Sequence, residues 1–204
     1  NYWEIDYKFS IELYTVTTEI ACVLGEFESV KELSLIILEN AKTLSEKAKI
    51  YDTQILAFIA QNKVSEAINT ALDILNLLGV KIPAQPSEAD IGAGIGNTHA
   101  LWTKIGIEGL LTLPEMVDPE KLAAIQIISS VMPVTYTAAP ILVPMFTFAM
   151  IELSIKYGNA HASTFGYASY GLILCGAVGD IDTGYEFGQL AINLLNRLNA
   201  NEFK

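Results

Sequence analysis

The chain has 204 residues, with 23 acidic and 12 basic side chains, a net charge of −11 and hydrophobic residues making up 51%. This balance excludes a nucleic-acid grip, which needs clustered Lys and Arg, and with no basic run it also argues against an anionic membrane surface. The only two cysteines, Cys22 and Cys175, lie far apart in apolar stretches and read as small buried hydrophobes of a reducing, cytoplasmic compartment.

From the N-terminus, residues 4–24 read as one long helix, because Phe9, Leu13, Val16, Ile20, Val23 and Leu24 recur at three- and four-residue steps. Gly25 punctuates it, and Val30 to Leu44 follows as its antiparallel partner, with Leu33, Ile37 and Ala41 on one stripe. Glu46 to Gln61 and Val64 to Leu78 repeat the pattern. Gly79 closes this helix, and Pro83 and Pro86 enforce the break. Ser87 then caps a helix over Glu88 to Trp102, weakened by Gly92, Gly94 and Gly96.

Leu111 to Met116 reads as a turn. Asp118-Pro119 has the form of an N-cap with proline at the first helical position, launching Lys121 to Val131. Ala139 to Tyr157 is the next helix, closed by Gly158-Asn159, and His161 to Val178 and Thr183 to Leu198 complete the chain. No segment alternates with period two, so the expected class is all-α. Two uncharged runs, Leu122–Ile151 and Ala160–Gly179, are long enough to span a bilayer. Their interruptions by Pro133, Pro140 and Pro144, and by Gly166, Gly171 and Gly176, fit buried helices better, so no membrane span is expected.

Three short stretches carry the organisation: Gly25-Glu26-Phe27-Glu28-Ser29-Val30, Asn62-Lys63-Val64-Ser65-Glu66-Ala67 and Gly179-Asp180-Ile181-Asp182-Thr183-Gly184. Each pairs a turn former and a charged residue with an apolar one, and each joins two helix-like runs. Phe27 and Val64 are 37 residues apart, and Val64 and Ile181 are 117 apart, close to three more such periods. A period of 20–50 residues marks an α-α superhelix of stacked hairpins. The expectation is therefore one array over 1–204, a piece of a longer protein, with an irregular Pro/Gly-rich middle at about 83–133.

Chemistry-bearing constellations are not found. Gly92-Ala93-Gly94-Ile95-Gly96 is followed by Asn97-Thr98 rather than the Lys-Ser/Thr of a phosphate loop. His99 and His161 stand 62 residues apart without a nearby Cys or second His, so no metal site is expected. Asp180, Asp182, Glu115, Asp118 and Glu120 sit at turns and helix starts, where the helix dipole accounts for them. Ser163-Thr164 and Ser129-Ser130 lack a nucleophile-elbow context. No catalytic residue and no cofactor are expected. Aromatic residues concentrate in the last third, and Tyr136, Tyr157, Tyr167 and Tyr170 are the groove candidates. The alternative is that they fill the core and send hydroxyls to the surface.

The turns resemble the second half of the tetratricopeptide motif, with Phe27/Val30, Val64/Ala67 and Ile181/Gly184 in its last two places, although no Trp-x-x-Leu-Gly-x-x-Tyr occurs. A wider set is similar to the helical region of very large bacterial signalling proteins: Leu113-Pro114-Glu115-Met116, Asp118-Pro119-Glu120-Lys121, Tyr157-Gly158-Asn159, Ala168-Ser169-Tyr170-Gly171 and Gly184-Tyr185-Glu186-Phe187-Gly188. In those proteins a Ser/Thr-kinase-like domain and an AAA-type ATPase precede the array, and a GAF sensor and a histidine kinase follow it. The resemblance implies a regulatory, non-catalytic segment that binds a protein partner or neighbouring domains, within a full-length kinase or ATPase. The alternative it leaves open is a sensor holding a small-molecule inducer in the superhelix groove.

Overall fold

The computed structural model describes residues 2–199, and the regular secondary structure among them is helical, with no strand. Contacts divide the chain into two compact units, Asn1–Lys81 and Ile82–Lys204. The division falls at the edge of the Pro83/Pro86 break.

The first unit holds α1 (Tyr2–Ile5), α2 (Tyr7–Leu24), α3 (Phe27–Asn40), α4 (Leu44–Ala60) and α5 (Val64–Leu77). The expected 4–24 helix is interrupted at Asp6, whose carboxylate accepts from the Phe9 amide at 3.1 Å and so caps α2. α4 begins with a capping box: Thr43 Oγ1 accepts from the Glu46 amide, and the Glu46 carboxylate accepts from the Thr43 amide. That carboxylate also accepts from the Tyr7 hydroxyl at 2.8 Å and the Lys42 amide at 2.9 Å, which ties α2 to the α3–α4 connection. Ile11, Ile37 and Ile50 form one buried cluster, and Ala21, Val30 and Ala57 another. α5 closes as the sequence implies: Gly79 is left-handed (φ 82°), and the Val80 amide reaches back to the Leu75 carbonyl at 2.8 Å.

The second unit holds α6 (Glu88–Trp102), α7 (Ile107–Thr112), α8 (Pro119–Ala138), a 3₁₀ turn (Pro140–Leu142), α9 (Val143–Tyr157), α10 (Ser163–Ile173), a π-turn (Leu174–Val178) and α11 (Ile181–Leu198). α6 matches the expected span and starts from a Ser87–Asp90 capping box. Gly94 has a packing reason to be glycine, since an added Cβ there would lie 2.4 Å from the Phe148 ring of α9. Two expectations are corrected. The turn read at Leu111–Met116 begins inside α7, and α8 does not stop at Val131 but runs through Pro133 to Ala138. An interior proline costs about 3 kcal/mol. Around it Ile127, Ile128, Val131 and Met132 are sealed from solvent, and burial at about 1.5–3 kcal/mol per large side chain outweighs that cost.

The three similar stretches share one backbone conformation. Gly25, Asn62 and Gly179 are all left-handed, with φ of 76°, 59° and 81°. The next residue's amide folds back on the preceding helix, Glu26 to the Ala21 carbonyl at 2.9 Å and Lys63 to Phe58 at 2.8 Å. In the third copy Asp180 bonds to Leu174 at 3.0 Å, one residue further back, because the π-turn adds a residue there. Val30, Ala67 and Gly184 then sit buried one turn into the second helix.

The second core is aromatic. Phe187 takes Tyr170 at 4.8 Å and Trp102 at 5.3 Å, both edge to face, and Tyr167 at 6.2 Å. Leu110, Phe148, Ile151, Leu174, Leu190 and Leu194 complete it.

Candidate interaction surface

α2 decides where the candidate surface lies. Its periodic apolar set points outward: Phe9 is 61% exposed, Val16 48% and Ile20 53%, and Leu13, Val23 and Leu24 are exposed with them. The buried face consists of Ser10, Ile11, Thr15, Thr18 and Ala21. This reverses the orientation that the apolar periodicity suggests. The reason is local: small residues allow α3 and α4 to approach closely, and the Thr18 hydroxyl is satisfied by the Tyr14 carbonyl at 2.7 Å. Cys22 lies on the packed side, its sulfur 3.7 Å from the Thr53 carbonyl, and burial raises its thiol pKa.

α2 is thus packed on one side and apolar on the other. From Phe9 to Leu24 the outward stripe covers about 22 Å at 1.5 Å per residue. On the helical wheel it is roughly 100° wide, the width of a helix-packing face. Glu12 and Glu19 line one of its edges, with Lys8 one turn before them. Glu19 meets Lys49 of α4 at 3.1 Å.

The four tyrosines divide into two pairs. Tyr167 and Tyr170 are fully buried, and their rings pack on Phe187. The Tyr167 hydroxyl donates to Asn159 Oδ1 at 2.9 Å, and the Tyr170 oxygen accepts from Trp102 Nε1 at 3.2 Å. Burial pushes the pKa of both hydroxyls up, opposed in Tyr170 by the Trp102 bond. Tyr136 and Tyr157 are each 41% exposed. Tyr136 donates to Ser169 Oγ at 3.4 Å, and Tyr157 lies beneath the Lys121 ammonium. The buried pair therefore lines no open groove, whereas the exposed pair reaches solvent.

Asn159, which the sequence marks only as part of a helix-closing Gly-Asn pair, is the hub of this region. Only 1% exposed, it accepts from Tyr167, donates through Nδ2 to the Leu110 carbonyl at 2.8 Å, and exchanges backbone bonds with Pro114 and Met116. Gly158 makes this approach possible: it has φ 102°, and a Cβ there would fall 2.4 Å from the Pro114 carbonyl oxygen. Asn following a helix-closing glycine was the available signal.

Each unit carries a modest surface concavity. One of about 260 Å³ in the first unit is floored by Phe27, Val30, Ala57 and Phe58 and edged by Lys31 and Lys63. Another of about 280 Å³ in the second unit lies by Glu115, Gln126 and His161. Among the described residues no group of three His, Cys, Asp or Glu side chains could hold a metal ion. Pro140–Tyr157 is long and apolar enough to cross a membrane by composition, and half of it is buried inside the protein. Comparison with protein-family models, curated proteins and solved structures finds no match.

Proposed function

We propose that this chain is a non-catalytic, tetratricopeptide-like scaffold segment that works by binding protein, within a signalling protein of the kinase/ATPase/sensor type. The observation that carries this reading is the outer face of α2. The most apolar side of a helix is ordinarily turned inward; on α2 the side of small and hydroxyl-bearing residues packs α3 and α4, and the most apolar side faces water. A contiguous exposed apolar face of this kind marks an interaction site. The superhelical stacking of the hairpins belongs to the same proposal and is supported by the common backbone of the three turns.

The test is a photo-crosslinking amino acid placed at position 16 of the full chain in the cells that make it, with position 66 on exposed Glu66 as control. A discrete protein adduct at 16, absent at 66 and lost on Ile20→Asp, is expected. Equal labelling at both positions, or nucleotide hydrolysis by the purified chain, would overturn the reading.

A further inference from the structure

We infer that the groove between α7 and α11 in the second unit binds a small organic cation, an ammonium or guanidinium group carried on an apolar stem. The site is separate from the α2 face and adds a small-molecule function to the protein-binding one. Arg197 of α11 ties the two helices together, donating through Nη1 to the Leu111 and Leu113 carbonyls at the end of α7. The residues that precede this clamp on each helix leave a groove of about 270 Å³. Leu190, which is buried, and the half-buried Ile107 and Leu111 give it apolar walls. Tyr185, 66% exposed, adds an aromatic ring.

The charges along this groove have one sign. Glu108 lines it from α7 and Glu186 from α11, so each wall carries an exposed carboxylate. Among the described residues neither carboxylate forms an ion pair, and no Lys or Arg lines the groove. The neighbouring cations do not neutralise it: Arg197 is engaged with the α7 carbonyls, and Lys104, in the loop before α7, makes no ion pair with Glu108. Asp182, one turn before Glu186, adds to the same sign. A cationic head is therefore favoured by the two carboxylates and by the face of the Tyr185 ring, and an anionic one is repelled. The apolar walls take the stem. A bare divalent ion is poorly matched, because it takes about six to eight oxygen ligands and no group of three His, Cys, Asp or Glu is assembled among the described residues. The volume lies just below the roughly 300–1,000 Å³ of sites for drug-sized ligands, which suits a small molecule rather than a helix.

Three probes of similar shape separate charge from apolar contact: 2-phenylethylammonium, the neutral 2-phenylethanol and the anionic 3-phenylpropionate. Ligand-observed NMR titration of the whole chain is expected to show the ammonium binding about tenfold or more tighter than the alcohol, with no binding of the propionate. Glu108→Gln with Glu186→Gln should bring the ammonium down to the level of the alcohol. Tyr185→Leu should weaken it about two- to fivefold. Glu66→Gln, which removes an equally exposed charge from the first unit, should change nothing, and Val16→Asp on α2 should leave the ammonium affinity unaltered. The three groove positions are exposed, so thermal melts of these variants should match the parent. Equal binding of ammonium and alcohol overturns the inference, as does cation binding that survives the double glutamine variant, which would reflect general attraction to a chain of net charge −11. A lysine-bearing heptapeptide that binds tenfold tighter than the ammonium, with the same dependence on Glu108 and Glu186, also overturns it in favour of a protein side chain as occupant.

Discussion

The Tyr167 hydroxyl donates to Asn159 Oδ1 at 2.9 Å, with both side chains sealed from solvent. Removing the donor strands a buried acceptor, which costs about 1–3 kcal/mol. Tyr167→Phe should therefore lower the urea-unfolding free energy of the second unit by about 1–2 kcal/mol. Asn159→Ala, which strands the Leu110 carbonyl as well, should lower it by about 2–4 kcal/mol. Equal, negligible effects in both variants would show that the hub is not closed in solution.

Gly171 and Gly184 set the closeness of α10 and α11. A Cβ at Gly184 would lie 2.3 Å from Cys175 Sγ, and one at Gly171 would lie 2.7 Å from the Gly184 carbonyl oxygen. Alanine at either position should destabilise by about 1–3 kcal/mol through forced separation. Gly188, on α11 with nothing within 4 Å of its would-be Cβ, is the control. There alanine should raise the melting temperature, a gain of up to about 1 kcal/mol from helix propensity.

Ser34 of α3 is completely buried, and its hydroxyl has no hydrogen-bond partner. Ser34→Ala should be neutral or stabilise by about 1 kcal/mol, since it removes an unpaired polar group of nearly the same size. A clear loss in thermal unfolding would point to a partner for that hydroxyl in solution.

Burial acts to raise the Glu46 pKa, but donation from the Tyr7 hydroxyl and the Thr43 and Lys42 amides outweighs it and holds the carboxyl below its usual value. With the folded value depressed, the stabilisation is fully present above the unfolded value of about 4.3 and is lost as pH falls through the folded one. Glu46→Gln should cost about 1 kcal/mol at neutral pH. The gap between variant and parent should close as the pH drops below about 4. A gap constant down to acid pH would contradict the ionised-acceptor assignment.

Local chemistry was legible in the sequence. Ser87, Asp118-Pro119 and Gly79 announce helix ends through side-chain caps and left-handed backbone, and these signals act within four residues. Which side of α2 is buried was not legible. Phe9, Leu13, Val16 and Ile20 form a helical stripe whether they face a core or a partner, while Ser10, Thr15, Thr18 and Ala21 form a second face that hydropathy ranks lower. Close helix approach rewards the small face, and hydropathy does not measure closeness. Pro133 misled for a similar reason, because its local cost is set against tertiary burial on α8. Tyr167 and Tyr170 carry the same side chain as Tyr136 and Tyr157, and only the positions of Asn159 and Trp102 separate buried from exposed.

The orientation of α2 carries the account, and thiol labelling of the purified chain measures it directly. In a background with Cys22→Ser and Cys175→Ser, Val16→Cys should react at the rate of an exposed thiol. Thr18→Cys, at a position with no exposed surface, should be protected until the protein unfolds. The opposite pattern, with position 18 reactive and position 16 protected, would place the apolar stripe in the core and remove the proposed interaction face.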